Sequence, residues 1–140
     1  MASSDLPTRG QLERTLSHRI QALYRSELGH QPSRVQCMIA DGKIMIVAED
    51  SITKPEQILI ENGQEGLAEK VHDDLDKSLH PQLSALIQEI LGVSVVDVLS
   101  DATFETGRSG AIAVLENTPQ FRESQRPRSR EDSSETNVDE

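Results

Sequence analysis

The sequence predicts an α+β fold: a duplicated α-β-β unit whose four strands form a mainly antiparallel sheet with two long helices on one face. Three observations predict it. Apolar residues recur at helical spacing twice, 63 residues apart, so that Leu12, Leu16, Ile20 and Leu23 fall on Leu75, Leu79, Leu83 and Leu86. Intervals of four, four and three residues draw the stripe of an amphipathic helix. Both stripes run into a Leu-Gly pair, Leu28-Gly29 and Leu91-Gly92, and a pair of β-rich segments follows each.

The first helix ends at Gly29, a residue that tolerates the left-handed backbone at a helix C-terminus. Its hairpin reads Arg34 to Ala40, then Asp41-Gly42, then Lys43 to Glu49. Asp-Gly between two β-rich runs is a strong hairpin signal. A two-residue turn pairs Ile39 with Ile44, Cys37 with Ile46 and Val35 with Ala48, and all six share the core face. The opposite face carries Met38 paired with Met45, together with Val47; Leu99, Ile112 and Val114 of the second hairpin are expected beside them. A sheet exposing these residues bears an apolar patch. Either the helix over 54–62 or a loop covers it, or it serves as a homodimer or partner interface. Met38, Met45 and Val47 are therefore candidate contact residues.

Thr53-Lys54-Pro55-Glu56 forms a capping box with Pro in the first turn, and the short helix it starts should stop near Asn62-Gly63. The second long helix begins at Gln64 or Glu65 and runs to Leu91, kinked at Pro81. Strands follow over Val95 to Thr103 and Gly110 to Glu116. The loop between them, through Glu105-Thr106-Gly107-Arg108, is four residues longer than the first, so Val47 meets Val114 at an offset of 67. Asp101, Thr106, Gly107 and Arg108 either satisfy local backbone groups or form a polar edge that contacts a partner.

The formal net charge is −10, and residues 8–117 alone hold 10 basic and 17 acidic side chains. That acidity argues against a nucleic-acid surface, which needs a positive field, and against docking on anionic lipid. Only Tyr24, Phe104 and Phe121 are aromatic, so the core is aliphatic. No apolar run approaches the ~18–20 residues that span a bilayer. The first residues lack the basic and apolar regions of a secretory signal. The single Cys37 fits a reducing, cytoplasmic location. The expected organisation is a flexible N-terminus over 1–8, an α+β domain over 9–117, and a disordered charged tail over 118–140 whose composition does not bury enough surface to offset ordering entropy.

Little in the chain recommends catalysis. His72, Asp76 and His80 lie at i, i+4 and i+8 on one helix. His72 falls beside the apolar stripe and His80 well round toward solvent, so the three do not converge on one metal ion. Asp73, Asp74 and Asp76 read as a solvated acidic face. Cys37 faces the core and reads as a structural thiol. There is no nucleophile elbow, phosphate-cradling Gly loop or zinc spacing. No catalytic residue, metal or cofactor is expected.

The ordered motifs resemble the small MpsC-like family, a domain linked to Na+-translocating, membrane-potential-generating systems. They are Leu28-Gly29 followed by Pro32 and Val35; Thr53-x-x-Glu56 with Leu59; Glu65-Gly66 followed by Val71; Pro81 followed by Ile87 and Leu91-Gly92; and Ser100-Asp101-x-x-x-x-Thr106-Gly107. The resemblance spans Gly10 to Glu116. It departs from the family's pattern at Gln31, where a Gly is expected, and in the charged tail. It implies a soluble accessory of a cation-coupled inorganic-carbon (bicarbonate) transport system, with no catalytic residues to carry over. The expectation is thus a non-enzymatic binding or regulatory module contacting itself or a protein partner such as a membrane transporter. The alternatives are a small-ligand sensor with a pocket between sheet and helices, and a nucleic-acid-binding domain.

Overall fold

The computed structural model describes residues 5–122. Helix α1 (Arg9–Leu28) starts at Thr8, whose Oγ1 accepts the Gln11 N–H at 3.1 Å while Gln11 Oε1 accepts the Thr8 N–H at 2.8 Å. This reciprocal pair satisfies two donors that a helix start leaves open. The helix ends at Gly29 with φ 68°, where the Gly29 N–H donates to Arg25 O. Leu12, Leu16 and Ile20 are buried along it.

Strands β1 (Arg34–Ala40) and β2 (Lys43–Glu49) form the predicted hairpin in the predicted register, with Ile39 opposite Ile44, Cys37 opposite Ile46, Val35 opposite Ala48 and Met38 opposite Met45. Asp41 takes the positive φ that the turn demands, 54°. Helix α2 (Lys54–Glu61) is capped by Thr53 and packs against α3 (Glu65–Leu91). Helix α3 continues through Pro81 and ends at Gly92, φ 71°. Strands β3 (Val95–Thr103) and β4 (Arg108–Leu115) complete a four-stranded sheet of order β1-β2-β4-β3, antiparallel at every junction, with β2 and β4 in the centre. Strand β4 starts two residues earlier than expected from sequence, at Arg108. A bulge between Val95 and Asp97 shifts the β3 register and turns Val96 outward.

The core is one aliphatic cluster. Leu12, Leu16 and Ile20 of α1 and Leu83, Leu86, Ile87 and Leu91 of α3 meet the inward side chains of the sheet, among them Ile39, Ile44, Ile46 and Ala113. Strand β1 is an edge of the sheet, and α1 closes part of that edge: Glu13 Oε2 accepts the Ile39 N–H at 2.9 Å. Arg19 of α1 reaches Glu89 of α3 at 3.0 Å.

After β4 the chain returns to the start of α1. Pro119 is buried and Phe121 packs against the core. The Arg122 N–H donates to Pro7 O at 2.7 Å and its Nε–H to Leu6 O at 3.0 Å. Residues 118–122 therefore differ from the tail expected from sequence. A single aromatic beside a charged stretch carries little local signal, and its partners lie more than a hundred residues away. The rest of the expected tail lies outside the described residues.

Leu16→Ala should cost about 3 kcal/mol of unfolding free energy, since Leu16 is fully buried. Met45→Ala, on the exposed face, should change it by less than about 0.5 kcal/mol. Urea denaturation at low micromolar protein measures both, and equal costs would mean that the outer face is not open to solvent.

Candidate functional site

The outer face of the sheet is a grid that follows from the strand registers. One row runs Met38, Met45, Ile112, Leu99 across all four strands in spatial order. The next row runs Gln36, Val47, Gly110, Asp101; on the other side lies Ala40, Lys43, Val114, Asp97. Met38, Met45, Val47, Ile112 and Leu99 are between 38% and 55% exposed, and Val96 beside them is 61% exposed. Helix α2 does not cover this face, because it lies against α3. Asp101 and Arg108, expected at a separate hairpin edge, share the face with Met38, Met45 and Val47. Arg108 Nε donates to Glu49 Oε1 at 2.8 Å.

Thr106 and Gly107 sit instead in the β3–β4 turn. Gly107 has φ 75°, its N–H donates to Thr103 O, and its carbonyl accepts the Ser51 N–H at 2.9 Å. The Thr106 and Thr103 hydroxyls are hydrogen-bonded to each other. Gly107 thus pins the hairpin end to the β2–α2 connection, and Thr106 closes the turn on itself. Asp101 Oδ1 accepts the Ala102 N–H at 2.8 Å and remains exposed.

Beneath that turn lies a polar pair that sequence reasoning missed. Glu56, 1% exposed, accepts the Thr53 N–H and hydroxyl at 2.9 and 2.6 Å through Oε1, and its Oε2 lies 2.7 Å from His72 Nδ1. Burial alone would raise the Glu56 carboxyl, but the hydrogen bonds from His72 and Thr53 more than offset it and leave it below its usual value. The hydrogen bond to Glu56 raises the His72 imidazole against the opposing effect of burial. Phe104 meets the imidazole edge-on, with centroids 5.8 Å apart. The capping box made Glu56 visible in the sequence. Its second oxygen's partner, 16 residues on, left no local signal.

A second cluster corrects an expectation. Asp76 and His80, expected toward solvent, are half-buried and meet Ser100 of β3. Asp76 Oδ2 accepts the Ser100 hydroxyl, and His80 Nε2 lies 3.2 Å from Ser100 Oγ. The reason lies in the sheet: toward the β3–β4 turn its inward positions are small or polar, Ser100, Ala102, Ser109 and Ala111, so polar side chains of α3 find partners there. Among the described residues no group of three or more His, Cys, Asp and Glu is placed to hold a metal ion, and no buried side-chain nitrogen or oxygen lacks a hydrogen-bond partner.

Two cavities flank these clusters. The one between sheet and helices offers only ≈ 20 Å³, room for a single water. The other is an open cleft of ≈ 550 Å³ lined by Glu65, Glu69, His72, Asp73, Asp101 and Phe104, among others.

A family model described as "Na+-translocating membrane potential-generating system (MpsC)" matches residues 8–117. The chain belongs to the MpsC family. No curated protein and no solved structure matches it. The MpsC match begins at the Thr8 cap of α1 and ends two residues beyond β4, so it takes in the outer face, the Glu56–His72 pair and the cleft. Among the described residues no helix is long and apolar enough to cross a membrane.

The Glu56–His72 tie predicts a pH profile. His72 is raised, so its contribution is full below about 6.5 and fades as pH rises through its folded pKa; Glu56 is lowered, so its contribution is full above about 4.5 and fades as pH falls through its folded pKa. Glu56→Gln should therefore cost most between these limits, about 3 kcal/mol, and progressively less toward alkaline pH. Urea unfolding across pH measures the difference, and a cost that stays flat on raising the pH would show that His72 is not protonated in the pair. Burial pushes the Cys37 thiol up to about 11; a thiol-reactive dye should label it only at the rate of unfolding, and rapid labelling of native protein would contradict its burial.

Proposed function

We propose that this chain is a non-enzymatic, cytoplasmic binding or regulatory module, an accessory of a cation-coupled inorganic-carbon transport system. The observation that carries the reading is the outer face of the sheet. One side of the sheet meets the aliphatic core, and the other presents an apolar row across four strands rimmed by Arg34, Lys43, Asp97 and Asp101. Rows of this kind are characteristic of surfaces that bind protein. The family is named for a Na+-translocating, membrane-potential-generating system, and the proposed role is contact with such a system through protein surface.

The architecture behind this reading is, we infer, a duplicated α-β-β unit with both long helices on one face. Its support is the strand order β1-β2-β4-β3, which reads the same from either edge when each hairpin is taken as a unit, and the left-handed glycines 29 and 92 before each hairpin. Two tandem copies of residues 64–117 should then fold cooperatively; a melt without a cooperative transition would count against the repeat. The proposed boundaries of the folded unit are those of the family match, extended by residues 118–122.

The small-ligand alternative is favoured by one observation, the cleft beside His72 and Phe104. The cavity between sheet and helices, where that alternative placed its pocket, has room for a single water only. Thermal stabilisation of the wild type by a metabolite, lost in Asp101→Arg, would support that alternative.

Affinity capture from gently solubilised, crosslinked membranes tests the accessory reading. The wild type should recover a membrane cation or inorganic-carbon transporter, and a variant carrying Asp101→Arg with Met38→Glu should lose it. Equal recovery by both would remove the outer face from the contact, and recovery of soluble proteins only would overturn the accessory role.

A further inference from the structure

We infer that the outer sheet face binds a second copy of this chain, through a two-fold axis that runs along the strands and lays β1 over the partner's β3 and β2 over its β4. The inference rests on the reading of this face as a binding surface and names what occupies it.

The charge pattern of the face carries the argument. The β1–β2 side bears Arg34 and Lys43, and the β3 edge bears Asp97 and Asp101, with the apolar row between them. Two copies stacked face to face have two simple symmetric arrangements. An axis along the apolar row sets Asp97 over the partner's Asp101 and Asp101 over its Asp97, two like-charge contacts that destabilise association. An axis along the strands removes both. Asp101 then lies over the partner's Gln36, and Asp97 over its Ala40. Met38 meets the partner's Leu99, and Met45 meets its Ile112. At the far end the Glu49–Arg108 pair, 2.8 Å within one chain, lies over the partner's Arg108–Glu49 pair, which closes an alternating square of four charges. A face that is complementary to itself in this way is what a two-fold interface requires. Aligned sheet-on-sheet packing, with strands within about 30°, preserves the central contacts.

The chain's own last residues fit the face poorly. Residues 123–140 contain a single aliphatic side chain, Val138, against a row of four large apolar positions. The face also sets the strength of association. Four strands at ~4.8 Å and about seven residues at ~3.4 Å project to roughly 450 Å², and standard interfaces bury about 800 Å² per partner. The dimer is therefore concentration-dependent and not obligate.

Sedimentation of the purified full chain from about 1 μM to about 1 mM spans that range. The mass should rise from one chain toward two. Met45→Glu should remain one chain throughout with an unchanged melting temperature, which separates lost contact from lost fold. Gln36→Lys should tighten the dimer about fivefold by facing the partner's Asp101 in two equivalent places, salt should weaken that gain, and adding Asp101→Asn should remove it. A wild type that stays monomeric at the highest concentration overturns the inference. If the membrane capture above still depends on Met38 and Asp101, the face then belongs to another protein and the accessory reading survives. A chain truncated after Arg122 that dimerises where the full chain does not gives the face to the tail instead. A wild-type dimer indifferent to Met45→Glu, or a Gln36→Lys variant no tighter than wild type, overturns the assigned geometry.

Discussion

The register of the β1–β2 hairpin is the constraint on which the rest depends. With a period of two, a slip of one residue would send Ile39, Ile44 and Ile46 into solvent and bring Met38 and Met45 into the core. The turn at Asp41-Gly42 blocks that slip, and the Gly42 carbonyl is further held by the Leu115 N–H at 2.8 Å. Strand β4 inherits its alignment from β2, and β3 from β4. One local turn thus decides which residues of all four strands meet α1 and α3 and which are left facing outward. The exposed apolar row is a direct result of the same alternation that builds the core.

The helical layer is secured by a different kind of contact. Aliphatic packing holds α1 and the second half of α3, where the sheet offers isoleucine and valine. Toward the β3–β4 turn the sheet offers serine and alanine, and there side-chain hydrogen bonds take over: Ser100 with Asp76 and His80, and Ser51 with Gly107. Helix α2 depends on the buried Glu56 carboxylate, which caps its own helix through Oε1 and grips α3 through Oε2. A single residue therefore closes the helix start and fixes the angle of its packing.

Local chemistry was legible in the sequence, and distant pairing was not. The helix stripes, the left-handed glycines, the Thr53–Glu56 cap and the first hairpin could be placed to the residue, because each is written within a few positions. The outer face was legible for Met38, Met45 and Val47, whose alternation is explicit. It was less so for Arg108, which joins the face because β4 starts two residues earlier than its apolar pattern suggests, and for Asp101, whose position two residues after Leu99 was outweighed by its place near a polar loop. The Glu56–His72 pair and the return of Phe121 and Arg122 to the N-terminal segment are long-range contacts between ordinary residue types. Nothing in the spacing of a single sequence marks them.

Glu13 gives the two sheet edges different fates. Its carboxylate occupies the Ile39 N–H on β1, so a foreign strand approaching that side finds a donor already taken and a negative charge beside it. Strand β3, at the opposite edge, has no such plug from α1. Open-ended stacking of sheets edge to edge needs two receptive margins, and this molecule has one of them stoppered. Glu13→Ala would free that donor and leave the buried side chains of the core in place, so the carboxylate serves the margin of the sheet more than its interior.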